Sequence, residues 1–166
     1  MGDEETKRIE FGIFEESHLS FKSKNLGTIV PFRYKEYLVI GPKNLTRFEN
    51  TFVKETYPYV LTALYRHKEY GILIGVTAHD PQFIILFESD LNRHMYTNVK
   101  TDDSGIFNII FSKKSSTIIT AGNDIKTWKF KYVPSTCRVV FEYPTIEIEL
   151  ITVISSNCFC SILNPP

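Results

Sequence analysis

The chain alternates short runs of Ile, Val, Phe, Tyr and Thr with clusters of Gly, Pro, Asn, Asp and Ser, at intervals of about ten residues. This rhythm predicts strands and turns along most of the length. The pattern assigns strands to 37–40, 45–48, 60–65, 72–76, 83–87, 106–111, 117–120, 125–132 and 138–143, with weaker segments at 9–14 and 28–32. The best helical candidate, Pro58 to Tyr70, starts with β-branched and aromatic residues and lacks a capping box. It reads as strand plus turn. On the segment 125–132, Lys126, Trp128, Phe130 and Tyr132 share one side, and Ile125, Thr127, Lys129 and Lys131 the other. Apolar residues on both sides predict an inner strand packed between two neighbours.

An internal repeat narrows the architecture. LVIGPKNLTRFEN from Leu38 is echoed by ILIGVTAHDPQFIILFES from Ile72 and by TIITAGNDIKTWKF from Thr117. Each copy is a β-rich run, a turn containing Asn or Asp, and a second β-rich run ending in a large aromatic. The aromatics are Phe48, Phe87 and Trp128, spaced by 39 and 41 residues. In the later two copies a further strand precedes the pair, YVLTALY from Tyr59 and GIFNIIFS from Gly105. Strand-turn-strand-turn-strand with a looser fourth strand is the unit of a propeller blade.

Residues Gly105 to Phe130 resemble a repeat of the WD-repeat β-propeller family. Ser104-Gly105 with IFNIIFS is similar to the family's first strand, Lys113 to Ser116 to its first turn, and TIITAGNDIKTWKF to its second and third strands. The resemblance implies that Thr120, Asp124 and Trp128 fill three places of a hydrogen-bonded tetrad that braces the blade. The histidine place near Asp103 or Ser104 is unfilled, and Lys129 stands where the family usually has Asp. The expected fold class is therefore all-β: WD-repeat-like propeller blades, three to four in number, forming an incomplete ring. An acidic segment at 1–19, blades within 20–163 ending near 48, 87 and 128, and a short tail at 164–166 complete the expected organisation. A generic β-sandwich with accidental periodicity is the alternative.

Charge adds little. Lys+Arg 19 and Asp+Glu 19 cancel, which disfavours binding to nucleic acid or anionic membrane through the overall field. Locally, residues 1–19 hold two basic and six acidic side chains, and residues 20–68 hold nine and three. Lys113, Lys114, Lys126, Lys129 and Lys131 sit among aromatics, so an RNA-binding propeller module is the second functional reading. Solvated strand and turn lysines are the preferred account of them. The start MGDEETKRIE is no secretory signal. It fits the loose myristoylation pattern at Gly2 and Thr6, but its acidic residues oppose an anionic leaflet. Leu150 to Leu163 is too short and polar to span a bilayer, and reads as strand, tight turn and strand. Cys137, Cys158 and Cys160 suit a reducing compartment better than a disulfide framework.

Catalytic motifs are lacking. His18, His67, His79 and His94 show no metal-ligand spacing, and each is expected in a turn or at the surface. Glu147 and Glu149 share one side of a strand and read as a solvated stripe. No catalytic residue, cofactor or metal site is expected. The reading is a noncatalytic, cytoplasmic scaffold fragment, the truncated product of a longer propeller, that binds other proteins, with no membrane partner and nucleic acid disfavoured, and associates through exposed blade edges.

Overall fold

The computed structural model describes residues 29–101, 106, 108–135 and 143–155. The candidate segment at 9–14, Gly2, His18, Asp103, Ser104, the three cysteines and most of 138–143 lie outside the described residues. So does the second half of the proposed C-terminal hairpin. All the described regular structure is β, and none of it is helical. It forms three four-stranded antiparallel sheets whose strands are neighbours in sequence order. The chain divides into two compact units, residues 1–61 and 62–166.

The first unit contains β1 (Ile29–Pro31), β2 (Glu36–Ile40), β3 (Leu45–Glu49) and β4 (Phe52–Tyr57), in the order β1-β2-β3-β4. Phe32, Leu38, Leu45, Phe48 and Tyr57 are buried there. Glu36 is buried too, at 5% exposure, and accepts hydrogen bonds from Arg47 at 2.6 and 3.0 Å and from Lys54 at 2.7 Å. Two cations on one carboxylate satisfy its lone pairs where water does not.

The second unit contains β5 (Leu61–His67, whose first residue falls in the first unit), β6 (Ile72–Thr77), β7 (Gln82–Phe87) and β8 (Asp90–Lys100) as one meander. The other meander is β9 (Asn108–Ser112), β10 (Thr117–Ala121), β11 (Ile125–Val133) and β12 (Thr145–Ile154), in the order β12-β11-β10-β9. The two sheets share one apolar core in which Ile72, Ile74, Val76, Phe83, Ile85 and Phe87 meet Ile109, Ile118, Trp128 and Phe130. Period-two alternation puts each of these on its inner face.

Three expectations change. The fourth strands β4 and β8 do not appear among the predicted segments, and the fourth strand of the last sheet is Thr145–Ile154, of which only the part from Leu150 is expected as strand. All three lie at sheet edges and are exposed or half-buried along nearly all their lengths, so their sequences carry little apolar signal. β11 is not apolar on both sides, because Lys126, Trp128 and Phe130 are buried whereas Lys129 and Lys131 are exposed. One face meets the core and the other is open.

The repeat aromatics all fall on third strands. Phe48 pairs with Tyr37 and Trp128 with Ile118, each opposite the second residue of the neighbouring strand, while Phe87 pairs with Ile72, the first residue. Phe87 is thus one register step away from the other two.

Candidate functional site: an aromatic shelf at one end of the second unit

The β5–β6 turn must reverse the chain between two largely buried strands, and Gly71 makes this feasible with φ +61. Its N–H donates to Lys68 O at 3.3 Å and its carbonyl accepts from Glu88 N at 2.9 Å, which ties this turn to the β7–β8 turn. A second tie joins the same places: Arg66 donates Nε to Glu88 Oε1 at 2.5 Å and Nη2 to Oε2 at 2.9 Å. A bidentate pair of this kind fixes orientation as well as distance.

His67, the last residue of β5, is only 4% exposed. Its ring stacks on Tyr70 at 4.2 Å and 5°, and meets Phe111 edge-on at 4.6 Å. Tyr70 in turn stacks on Tyr132 at 4.2 Å and 8°, so His67, Tyr70 and Tyr132 form a three-ring stack. Phe111 and Phe130 meet at right angles, 5.5 Å apart, behind it. His67 Nδ1 accepts the Tyr70 N–H at 3.4 Å, which leaves the proton of the neutral ring on Nε2. Burial lowers the His67 pKa, nearby Lys113 adds to this, and Glu69 opposes it. The ring is neutral at pH 7.

Tyr65, Arg66, His67, Lys68, Glu69 and Lys113 line a cleft of about 230 Å³ beside the stack. Across it Lys113 of the β9–β10 turn pairs with Glu69 of the β5–β6 turn at 3.1 Å, linking the two sheets. This bond holds the Glu69 carboxyl below its ordinary pKa. Elsewhere in the unit Arg93 lies over Phe87 at 4.9 Å and over Tyr143 at 4.5 Å. Tyr70 and Tyr143 remain 37% and 48% exposed. Aromatic rings with wet edges, held rigidly beside paired charges, suit recognition of another molecule.

The residues singled out from the sequence take other places. Trp128 is 2% exposed and donates Nε1–H to Thr120 Oγ1 at 3.0 Å, with Phe83 edge-on at 5.0 Å. Asp124 sits in the β10–β11 turn, where its backbone carbonyl accepts from Gly122 N at 3.0 Å. Thr120 and Trp128 are therefore bonded directly. Phe87 belongs to the same core, and Phe48 is buried in the first unit. His67 is a correction: it is neither in a turn nor at the surface, because the aromatics around it shield it from water. Lys126 is another, since it is buried and donates Nζ to Thr101 O at 2.7 Å. The shelf escaped the sequence reading because His67-Lys-Glu-Tyr70 looks like an ordinary charged turn. The available signal was an aromatic immediately before Gly71.

Among the described residues no three His, Cys, Asp or Glu side chains converge to hold a metal, and no helix is long and apolar enough to cross a membrane. Compared with models of protein families and with curated proteins, the chain has no match in either.

Proposed function

We propose that the chain is a WD-repeat-like propeller scaffold, noncatalytic and cytoplasmic, which recruits other proteins through the aromatic shelf of its second unit. The observation that carries this is the succession of three four-stranded meanders, each in sequence order and each with a large aromatic on its third strand. Such a meander is the unit from which propellers are built. The Thr120–Trp128 hydrogen bond supports the reading further, since it joins two residues that the family resemblance puts in one brace. A shelf of stacked rings with a partly exposed edge beside a paired Lys113 and Glu69 offers contact surface, which supports binding.

Of the five lysines that suggest RNA, Lys114 is exposed and the other four are buried or set against acids. Lys126 is buried, Lys113 is paired with Glu69, Lys131 with Glu147 at 3.2 Å, and Lys129 stands opposite Glu149. This favours protein partners over RNA.

The test is affinity capture from lysate with the wild-type chain and with Tyr70→Ser, each checked by thermal melting. Specific proteins lost from the folded variant are the expected result. Retention of every partner would remove the shelf from the account. Salt-sensitive binding of RNA in place of proteins would replace the reading with the second one.

A further inference from the structure

Of all the exposed large hydrophobic residues described, the two most exposed lie at the same end of the first unit. Tyr34, in the β1–β2 turn, is 86% exposed, and Phe52, at the start of β4, is 76% exposed. Val53 beside it is 45% exposed. The two turns are joined by a hydrogen bond from Asn50 N to Lys35 O of 2.8 Å, so both aromatics stand on one platform. Strand spacing separates their backbones by roughly 10 Å. Lys35 and Asn50 adopt positive φ of 59 and 52, which accounts for the tightness of both turns. Neither geometry calls for an aromatic neighbour.

The charge around this tip is basic. Arg33, Lys35, Arg47 and Lys54 lie on these turns and strands with Glu36, Glu49 and Glu55, four positive charges against three, and Glu55 stands back from the tip, opposite Arg47. The acids are engaged: Glu36 by Arg47 and Lys54, Glu49 by Lys54 at 3.5 Å. Arg33 and Lys35 are exposed, the first with its guanidinium 4.8 Å from the Phe32 ring and the second with its ammonium 5.2 Å from the Tyr34 ring.

We propose that this tip is a docking site for an anionic lipid surface, with Tyr34 and Phe52 entering the headgroup region and Arg33 and Lys35 meeting lipid phosphates and carboxylates. Aromatic rings prefer the membrane interface, and basic residues beside them are attracted by anionic headgroups. The site lies on turn ends, and a flat bilayer accommodates projecting turns. Single-stranded RNA would require open ring faces for stacking, and Lys35 occupies one face of Tyr34. This surface contact needs neither an acyl chain nor a spanning segment. It is independent of the protein-recruiting shelf.

The experiment is cosedimentation of the full chain with phosphatidylcholine vesicles, with and without phosphatidylserine. Binding is expected only with the anionic lipid, and it weakens as salt rises. Phe52→Ser and Tyr34→Ser should each lower partitioning about tenfold. Lys35→Glu should lower it by at least about fivefold, and Tyr34→Trp should retain it. All three positions are exposed, and unchanged thermal melting verifies the fold. Ile151→Ser, at another exposed apolar position, should leave partitioning unaltered. An equal loss with Ile151→Ser, or no binding to anionic vesicles by the wild type, would overturn the proposal. So would tip-dependent binding of labelled oligouridine, or tip-dependent self-association in gel filtration, without vesicle binding.

Discussion

Replacing Trp128 by alanine removes the largest side chain in the core of the second unit. At 2% exposure it contributes about 200 Å² of buried surface, worth about 5 kcal/mol as an upper bound. Phe83, itself fully buried, loses its edge-on partner, and the Thr120 hydroxyl loses its donor. The expected destabilisation is about 3 to 5 kcal/mol, a large share of an ordinary domain's stability. Thr120→Val isolates the polar part: it preserves shape but strands the buried indole N–H, at about 1 to 3 kcal/mol. Trp128→Phe removes that donor. The double variant Thr120→Val/Trp128→Phe should therefore be more stable than additivity predicts, by about 1 kcal/mol. Trp128 is the sole tryptophan, so its fluorescence in urea reports the second unit directly, with far-ultraviolet circular dichroism serving the variants that lack it. A neutral Thr120→Val, or strict additivity, would show that the hydrogen bond does not brace the two strands.

Three further outcomes concern protonation. His67 has a lowered pKa, so the unfolded chain takes up its proton first as pH falls below about 6.5, and the second unit loses stability from there down to the folded pKa; His67→Phe should flatten that part of the urea midpoint against pH. For Glu36, burial opposes the charge, yet hydrogen bonds from Lys54 and Arg47 prevail and lower the pKa. Its stabilisation is present above the ordinary carboxylate value and declines as pH falls below about 4.5, whereas Glu36→Gln loses on the order of 2 kcal/mol at neutral pH and shows less acid dependence. Tyr57 is pushed up to about 12 by burial and by Glu55, so the first unit should weaken as pH rises from about 10 towards 12. Phenolate absorbance would show late titration of Tyr57 that is missing in Tyr57→Phe.

Strands with an inward apolar face were legible because burial imposes alternation on them. β6 and β7 are buried along nearly all their lengths, and their runs ILIGV and FIILF stand out in the sequence. β4 and β8 carry VKET and NRHMYTN in the same structural role of pairing a neighbour. Their backbones are held by one adjacent strand, so their side chains are free to be polar, and pattern reading passes over them. The third-strand aromatics were visible for the opposite reason. Each sits where a large side chain fills space, and Trp128 is fixed further by a hydroxyl eight residues away, a separation that follows from the hairpin itself.

The shelf was hidden because it depends on contacts between sheets. The His67–Tyr70 turn, Phe111 and Tyr132 come from three segments far apart in sequence, and none belongs to a local motif. A histidine before Lys-Glu-Tyr is unremarkable until tertiary packing places Phe111 against its edge and Tyr70 on its face. The same packing removes it from water, lowers its basicity and exposes the outer part of Tyr70. Burial of the one ring and exposure of the next are thus consequences of a single arrangement. Disrupting Tyr70 should therefore change both surface recognition and the titration of His67, and Tyr70→Leu, which keeps the cover but loses the aromatic edge, should separate them by altering binding while His67 stays neutral at pH 7.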